Sequence, residues 1–92
     1  MNDELIKRLN AIYKEFGFEK QSDKLSEECI EYFESWNDFD SDHSDKLSEI
    51  ADVFIISAQL VLNNPTIMQI VNDKIERTEK RIKEGYYNGS KI

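Results

Sequence analysis

From Glu49 to Leu62 the chain reads EIADVFIISAQLVL, and wound into a helix that stretch has almost no water face. At about 100° per residue, Ala51, Val53, Phe54, Ile55, Ile56, Ala58, Leu60, Val61 and Leu62 point in nearly every direction. A helix that is apolar all round has to be enclosed. The remaining sequence must supply the walls, and there is little of it. The 92 residues make one domain, and chains of this size bury only about 60 to 70% of the surface they expose when unfolded.

The walls are expected to be helical too, because the chain holds only three Gly and one Pro against 34% charged residues. Leu5, Ile6, Leu9, Ile12, Tyr13 and Phe16 follow helical spacing, which predicts a first amphipathic helix ending near Gly17. A second is expected to start at Ser22 as N-cap, with Asp23 in its first turn and Leu25, Cys29, Tyr32, Phe33 and Trp36 on one apolar stripe. NDFDSDHS, Asn37 to Ser44, is turn and cap chemistry apart from Phe39 and reads as a loop, with His43 as a loop residue. The enclosed helix then runs from about Asp45 to Leu62. Asn64 as N-cap and Pro65 at the first helical position open a fourth, which carries Ile67, Ile70, Val71, Ile75, Thr78 and Ile82 inward and ends near Glu84 with Gly85 as its cap. Residues 85–92 form a tail. The expected fold is all-α, a four-helix antiparallel bundle in a single domain, residues 1–92. Three neighbours leave part of the enclosed helix wet, so a second subunit is expected to complete it, in a homodimer or homotetramer.

Several function classes are disfavoured at this stage. A formal net charge of −7 opposes sequence-independent binding to nucleic acid or anionic lipid. No apolar run approaches the roughly 20 residues of a membrane span, and MNDELIKRLN does not resemble a signal peptide. The lone Cys29, on its apolar stripe, reads as a small buried hydrophobe in a reducing compartment, and the protein as cytoplasmic.

The acids are not scattered. Glu27, Glu28 and Glu31 form EExxE on the second helix, and Glu49 with Asp52 form ExxD near the start of the third. Positions i and i+3 share a helix face, so Glu28 with Glu31, and Glu49 with Asp52, are each a two-carboxylate claw. On antiparallel neighbours the claws can meet and offer four carboxylates to a hard divalent cation, whose ligands are oxygen. Glutamate-rich faces are commonly just solvated. Here, however, Ile56 projects between Glu49 and Asp52 on the most apolar helix of the chain. A carboxylate bordering the core must be compensated or neutralised, and a metal ion does the former. On the fourth helix, Lys74 and Arg81 project into the apolar arc with Arg77 at its rim. They either pair with carboxylates or snorkel, or they hold phosphates that the metal also binds. Trp36 is a core residue or a platform for a base.

EExxE, the following ExxD and the basic stretch NDKIERTEKR, Asn72 to Arg81, together resemble the all-alpha nucleoside triphosphate pyrophosphohydrolases, specifically short MazG-like proteins. QSDKLSEECIEYFESW and SEIADVFI carry most of the similarity. The resemblance implies magnesium or manganese held by Glu28, Glu31, Glu49 and Asp52, with Glu27 as a further ligand or the group that orients the attacking water. Glu27, Glu28 and Glu31 would then form the catalytic set, and Lys74, Arg77, Arg81 and Trp36 would contact the substrate. The implied reaction turns a nucleoside triphosphate and water into monophosphate and pyrophosphate. Two alternatives stand beside it. Asp38, Asp40, Asp42 and Glu49 occupy positions one, three, five and twelve of an EF-hand calcium loop, although His43 stands where that loop wants Gly and Asp45 where it wants an apolar residue. A non-enzymatic acidic helical protein that binds a basic partner is the other.

Overall fold

Gly17 decides how the first half of the chain is laid out. The computed structural model describes residues 1–37 and 43–85, and in it the chain is all-helical, with α1 (Asp3–Asn37), α2 (His43–Leu62) and α3 (Pro65–Lys83). α1 is broken at Gly17, whose φ of 84° and ψ of 174° are open essentially to glycine alone. The first helical segment therefore stops where its sequence pattern stops. No loop follows, and Ser22 is not an N-cap: the helix resumes at residue 18 and holds Ser22 in its interior. Phe18-Glu19-Lys20-Gln21 contains no breaker, and Glu19 in the new first turn suits the positive end of the helix dipole. One glycine suffices for the turn.

The ends of the expected loop are helical as well. Asn37 closes α1, while His43 and Ser44 open α2; residues 38–42, Phe39 among them, lie outside the described residues. At the other end of α2, Asn63 and Asn64 donate side-chain amides to the carbonyls of Gln59 (2.8 Å) and Leu60 (2.6 Å), supplying donors to the last turn. Asn64 does occupy the N-cap of α3, with Pro65 behind it, but its side chain serves α2 instead of capping α3. α3 ends as its sequence predicts, with Gly85 at a φ of 76° and its N–H bonded to Ile82.

α1 and α2 pack antiparallel. The register shows in Gln21 against Gln59 and Asn10 against Asn63, later residues of one helix meeting earlier residues of the other. Among the described residues, Leu9, Ile56, Ala58 and Leu60 are the buried apolar side chains. α2 is thus enclosed on one side only, and Ile50, Phe54 and Ile55 stay exposed in the single chain. The inward face of residues 18–37 is Gln21, Leu25, Glu28, Tyr32 and Ser35, so only Leu25 and Tyr32 of the expected apolar stripe turn inward. Cys29, Phe33 and Trp36, expected inside, are exposed. Of the polar side chains on the inward face, Gln21 bonds to Gln59 of α2, whereas Glu28 pairs with Lys24 and Ser35 donates to the Tyr32 carbonyl, both within α1.

α3 also departs from expectation. It leaves α2 at a bend of 110°, touches α2 but not α1, and buries none of its residues. Ile67, Ile70, Val71, Ile75, Thr78 and Ile82 therefore do not point into a core; Ile75 is 52% exposed. Among the described residues no single helix is long and apolar enough to cross a membrane.

Candidate metal centre

Three carboxylates meet where the middle of residues 18–37 lies against the start of α2. Glu28, Glu31 and Glu49 each offer an oxygen, and these oxygens all lie within 4.8 Å of one another. The spacing i, i+3 on α1 provides the first two, and the antiparallel register brings Glu49 opposite. Glu28 is 6% exposed, Glu49 half-buried and Glu31 exposed, so the cluster opens to solvent on the Glu31 side.

The electrostatics are incomplete. Lys24, one turn before Glu28, reaches its Oε1 at 3.1 Å and Oε2 of Glu27 at 3.5 Å, and the bond to Glu28 is the largest reason its own pKa is raised. Glu28 Oε2 and Glu49 Oε2 are buried without a hydrogen-bond partner. Glu31 carries the strain of the arrangement. Its pKa is raised first by the charge of Glu28, then by desolvation, by Glu49, and by a proton it can share with Glu28, while Lys24 pulls the other way. Three converging acids with two orphaned buried oxygens and one lysine are short of positive charge.

A divalent cation fits that deficit. Octahedral magnesium, with oxygens at about 2.1 Å, sets neighbouring ligand oxygens roughly 3 Å apart and opposite ones roughly 4.2 Å, so the three oxygens, within 4.8 Å of one another, would draw together to bind it. Asp52, one turn beyond Glu49, is half-buried and stands outside the three-acid group. Glu27 is exposed and committed to Lys24. Glu49 is the one EF-hand position among the described ligands of that alternative, and here it groups with α1; Asp38, Asp40 and Asp42 lie outside the described residues.

The basic residues are placed differently from the acids. Lys74 and Arg77 are exposed on α3, and neither forms an ion pair with Glu28, Glu31 or Glu49. Arg81 is half-buried on the same helix. Trp36, 60% exposed, packs edge-on against Tyr32 at 6.3 Å and lies under the ammonium of Lys46 at 5.0 Å.

The groove beside the acids goes beyond the motifs singled out in the sequence. At the Gly17 break the two segments of α1 and the flank of α2 enclose about 500 Å³, lined by Ile12, Phe16, Gln21, Ile55, Ile56 and Gln59, with Lys24 and Glu27 at the edge nearest the cluster. Gln59 is fully buried, accepts a 2.7 Å bond from Gln21 and donates to the carbonyl of Ile55 at 3.1 Å. The signal for it was there in principle: two glutamines and a helix-breaking glycine between apolar segments.

Compared with protein-family models, curated proteins and solved structures, the chain matches none of them.

Proposed function

We propose that this chain is a magnesium-dependent nucleoside triphosphate pyrophosphohydrolase of the MazG-like kind, releasing monophosphate and pyrophosphate. The observation that supports it is the pair of buried, unpartnered carboxylate oxygens on Glu28 and Glu49, converging with Glu31. Glu28, Glu31 and Glu49 would hold the metal, with Asp52 joining by a rotamer change from the next turn of α2. Manganese has the same donor preference and would substitute. Such an ion supplies charge neutralisation for the triphosphate and a lowered pKa for bound water.

The chain's own residues have distinct tasks in this reading. The groove at the Gly17 break holds base and sugar, since its apolar lining with two amide side chains suits a nucleoside and its edge meets the acids. Glu27, exposed next to the cluster, would orient the attacking water, and Lys24 holds Oε1 of Glu28 at 3.1 Å. Lys74, Arg77 and Arg81 would meet the phosphates once α3 is folded into a four-helix antiparallel bundle, completed by homo-oligomerisation, which would also cover its apolar stripe. The setting would be the cytoplasm. Trp36 has no part in this arrangement, because it lies toward the opposite end of the α1–α2 pair from the groove.

The test is a panel of NTPs and dNTPs with magnesium, scored for pyrophosphate. Turnover that Glu28→Gln and Glu49→Gln each reduce by at least about 100-fold is expected. No turnover of any member by folded, metal-replete protein rejects the reading. Strong thermal stabilisation by calcium but not by magnesium, without turnover, would favour the calcium-loop alternative.

A further inference from the structure

The α1–α2 hairpin has two unlike sides. Acids and groove open on one of them. On helical wheels of about 100° per residue, Ile30, Phe33 and Trp36 lie roughly 80 to 200° from the inward Glu28, and Leu47, Ile50 and Phe54 roughly 100 to 160° from Glu49. Both sets fall away from the groove, and the contact of Lys46 on α2 with Trp36 on α1 marks that second side. All six side chains are exposed, Phe33 at 68%.

We propose that this apolar side is a self-complementary docking face for a second copy of the same chain. Area argues for it. Half-exposed side chains of this size present about 100 Å² each, so six give roughly 600 Å² per protomer, at the top of what a monomer's largest patch usually reaches. Two copies face to face bury about 1,200 Å², the lower limit of a standard specific interface.

Charge argues for a copy of this chain and not another kind of partner. Two molecules at −7 repel unless the acids are kept off the contact. Here, within residues 18–37, this side carries one charged residue, Glu19, near the Gly17 break and away from Ile30, Phe33 and Trp36, and on α2 only Lys46. A basic partner would seek the acid side instead. Back-to-back contact about a two-fold axis leaves both acid centres and both grooves facing outward. The inference is independent of hydrolysis: a dimer inert toward every nucleotide would leave it standing.

Two measurements test it. Sedimentation equilibrium of the full chain is expected to give about twice 10.8 kDa, falling by half in Phe33→Glu and Phe54→Glu but not in Ile12→Glu, on the groove side. Far-UV circular dichroism checks that the variants keep their helices. The second measurement needs no substitution. Cys29 is exposed in the single chain and lies on the same side, so maleimide labelling of the wild-type protein is expected to slow at least about tenfold between dilute and concentrated samples. A monomer at every concentration with freely labelled Cys29 overturns the proposal. So does a dimer that survives both glutamate substitutions with unprotected Cys29.

Discussion

Replacing Glu49 with glutamine is expected to make the metal-free protein more stable and the magnesium-loaded protein less so. The carboxylates of Glu28 and Glu49 approach within 4.8 Å. Two unit charges at that distance repel by about 3.5 kcal/mol at an effective dielectric of about 20. That is a ceiling, because Lys24 partly neutralises Glu28. An amide at position 49 removes the repulsion and can donate to the unpartnered Oε2 of Glu28. A gain of about 1–2 kcal/mol follows, or roughly 5–15 °C in Tm for a domain of this size. Wild-type protein gains about 2.7 kcal/mol from magnesium at one hundred times its Kd, and the variant should gain almost none. Thermal melts followed by circular dichroism, with chelator and with magnesium, should therefore rank the two proteins in opposite orders. If Glu49→Gln lowers the metal-free Tm, Glu49 is not repelled by Glu28; if it leaves the magnesium increment intact, Glu49 is not a ligand.

The raised pKa of Glu31 has a pH consequence. The folded state binds a proton more readily than the unfolded one, so metal-free stability should fall as pH rises from the ordinary carboxylate value of 4.5 through the raised one; denaturant midpoints should show that slope, and magnesium should flatten it. Gly17→Ala meets no neighbour within 4 Å, so its cost is conformational, about 1–3 kcal/mol in urea unfolding; a neutral result would mean that the break is absent in solution. Gln59→Leu strands the Gln21 amide and should cost about 1–3 kcal/mol, with Gln21→Leu added on top recovering part of it in a double-mutant cycle.

Local signals were readable where one residue type can do the job. Gly17, Pro65 and Gly85 mark breaks that the backbone shows at those positions, because positive φ and a missing N–H are properties of single residues. Glu28, Glu31 and Glu49 could be grouped from spacing alone once two helices were taken as antiparallel. The rotation of residues 18–37 could not be read. Periodicity identifies an apolar stripe but not which neighbour it meets, and here Leu25, Cys29, Tyr32, Phe33 and Trp36 fit a stripe that the single chain mostly leaves outside. α3 failed for the same reason: its pattern requires a covered face, and the pattern is silent on whether the covering comes from its own chain.

That rotation is itself informative. Gln21, Glu28 and Ser35 occupy the buried side of a helix that has Ile30, Phe33 and Trp36 available for it. For an isolated hairpin the choice is unfavourable, since a buried carboxylate with an orphaned oxygen destabilises the fold and three large apolar side chains are left in water. Both disadvantages disappear under a single assumption, that each side of the hairpin meets something the single chain lacks: a cation between the acids and an apolar surface behind them. Turning the helix by half a revolution would bury the apolar stripe and expose Glu28, and would separate Glu28 from Glu49. The observed orientation keeps the two carboxylates within 4.8 Å of one another. Departures from good local packing concentrate where a protein has a task to perform, and in this chain they concentrate on the two sides of one hairpin.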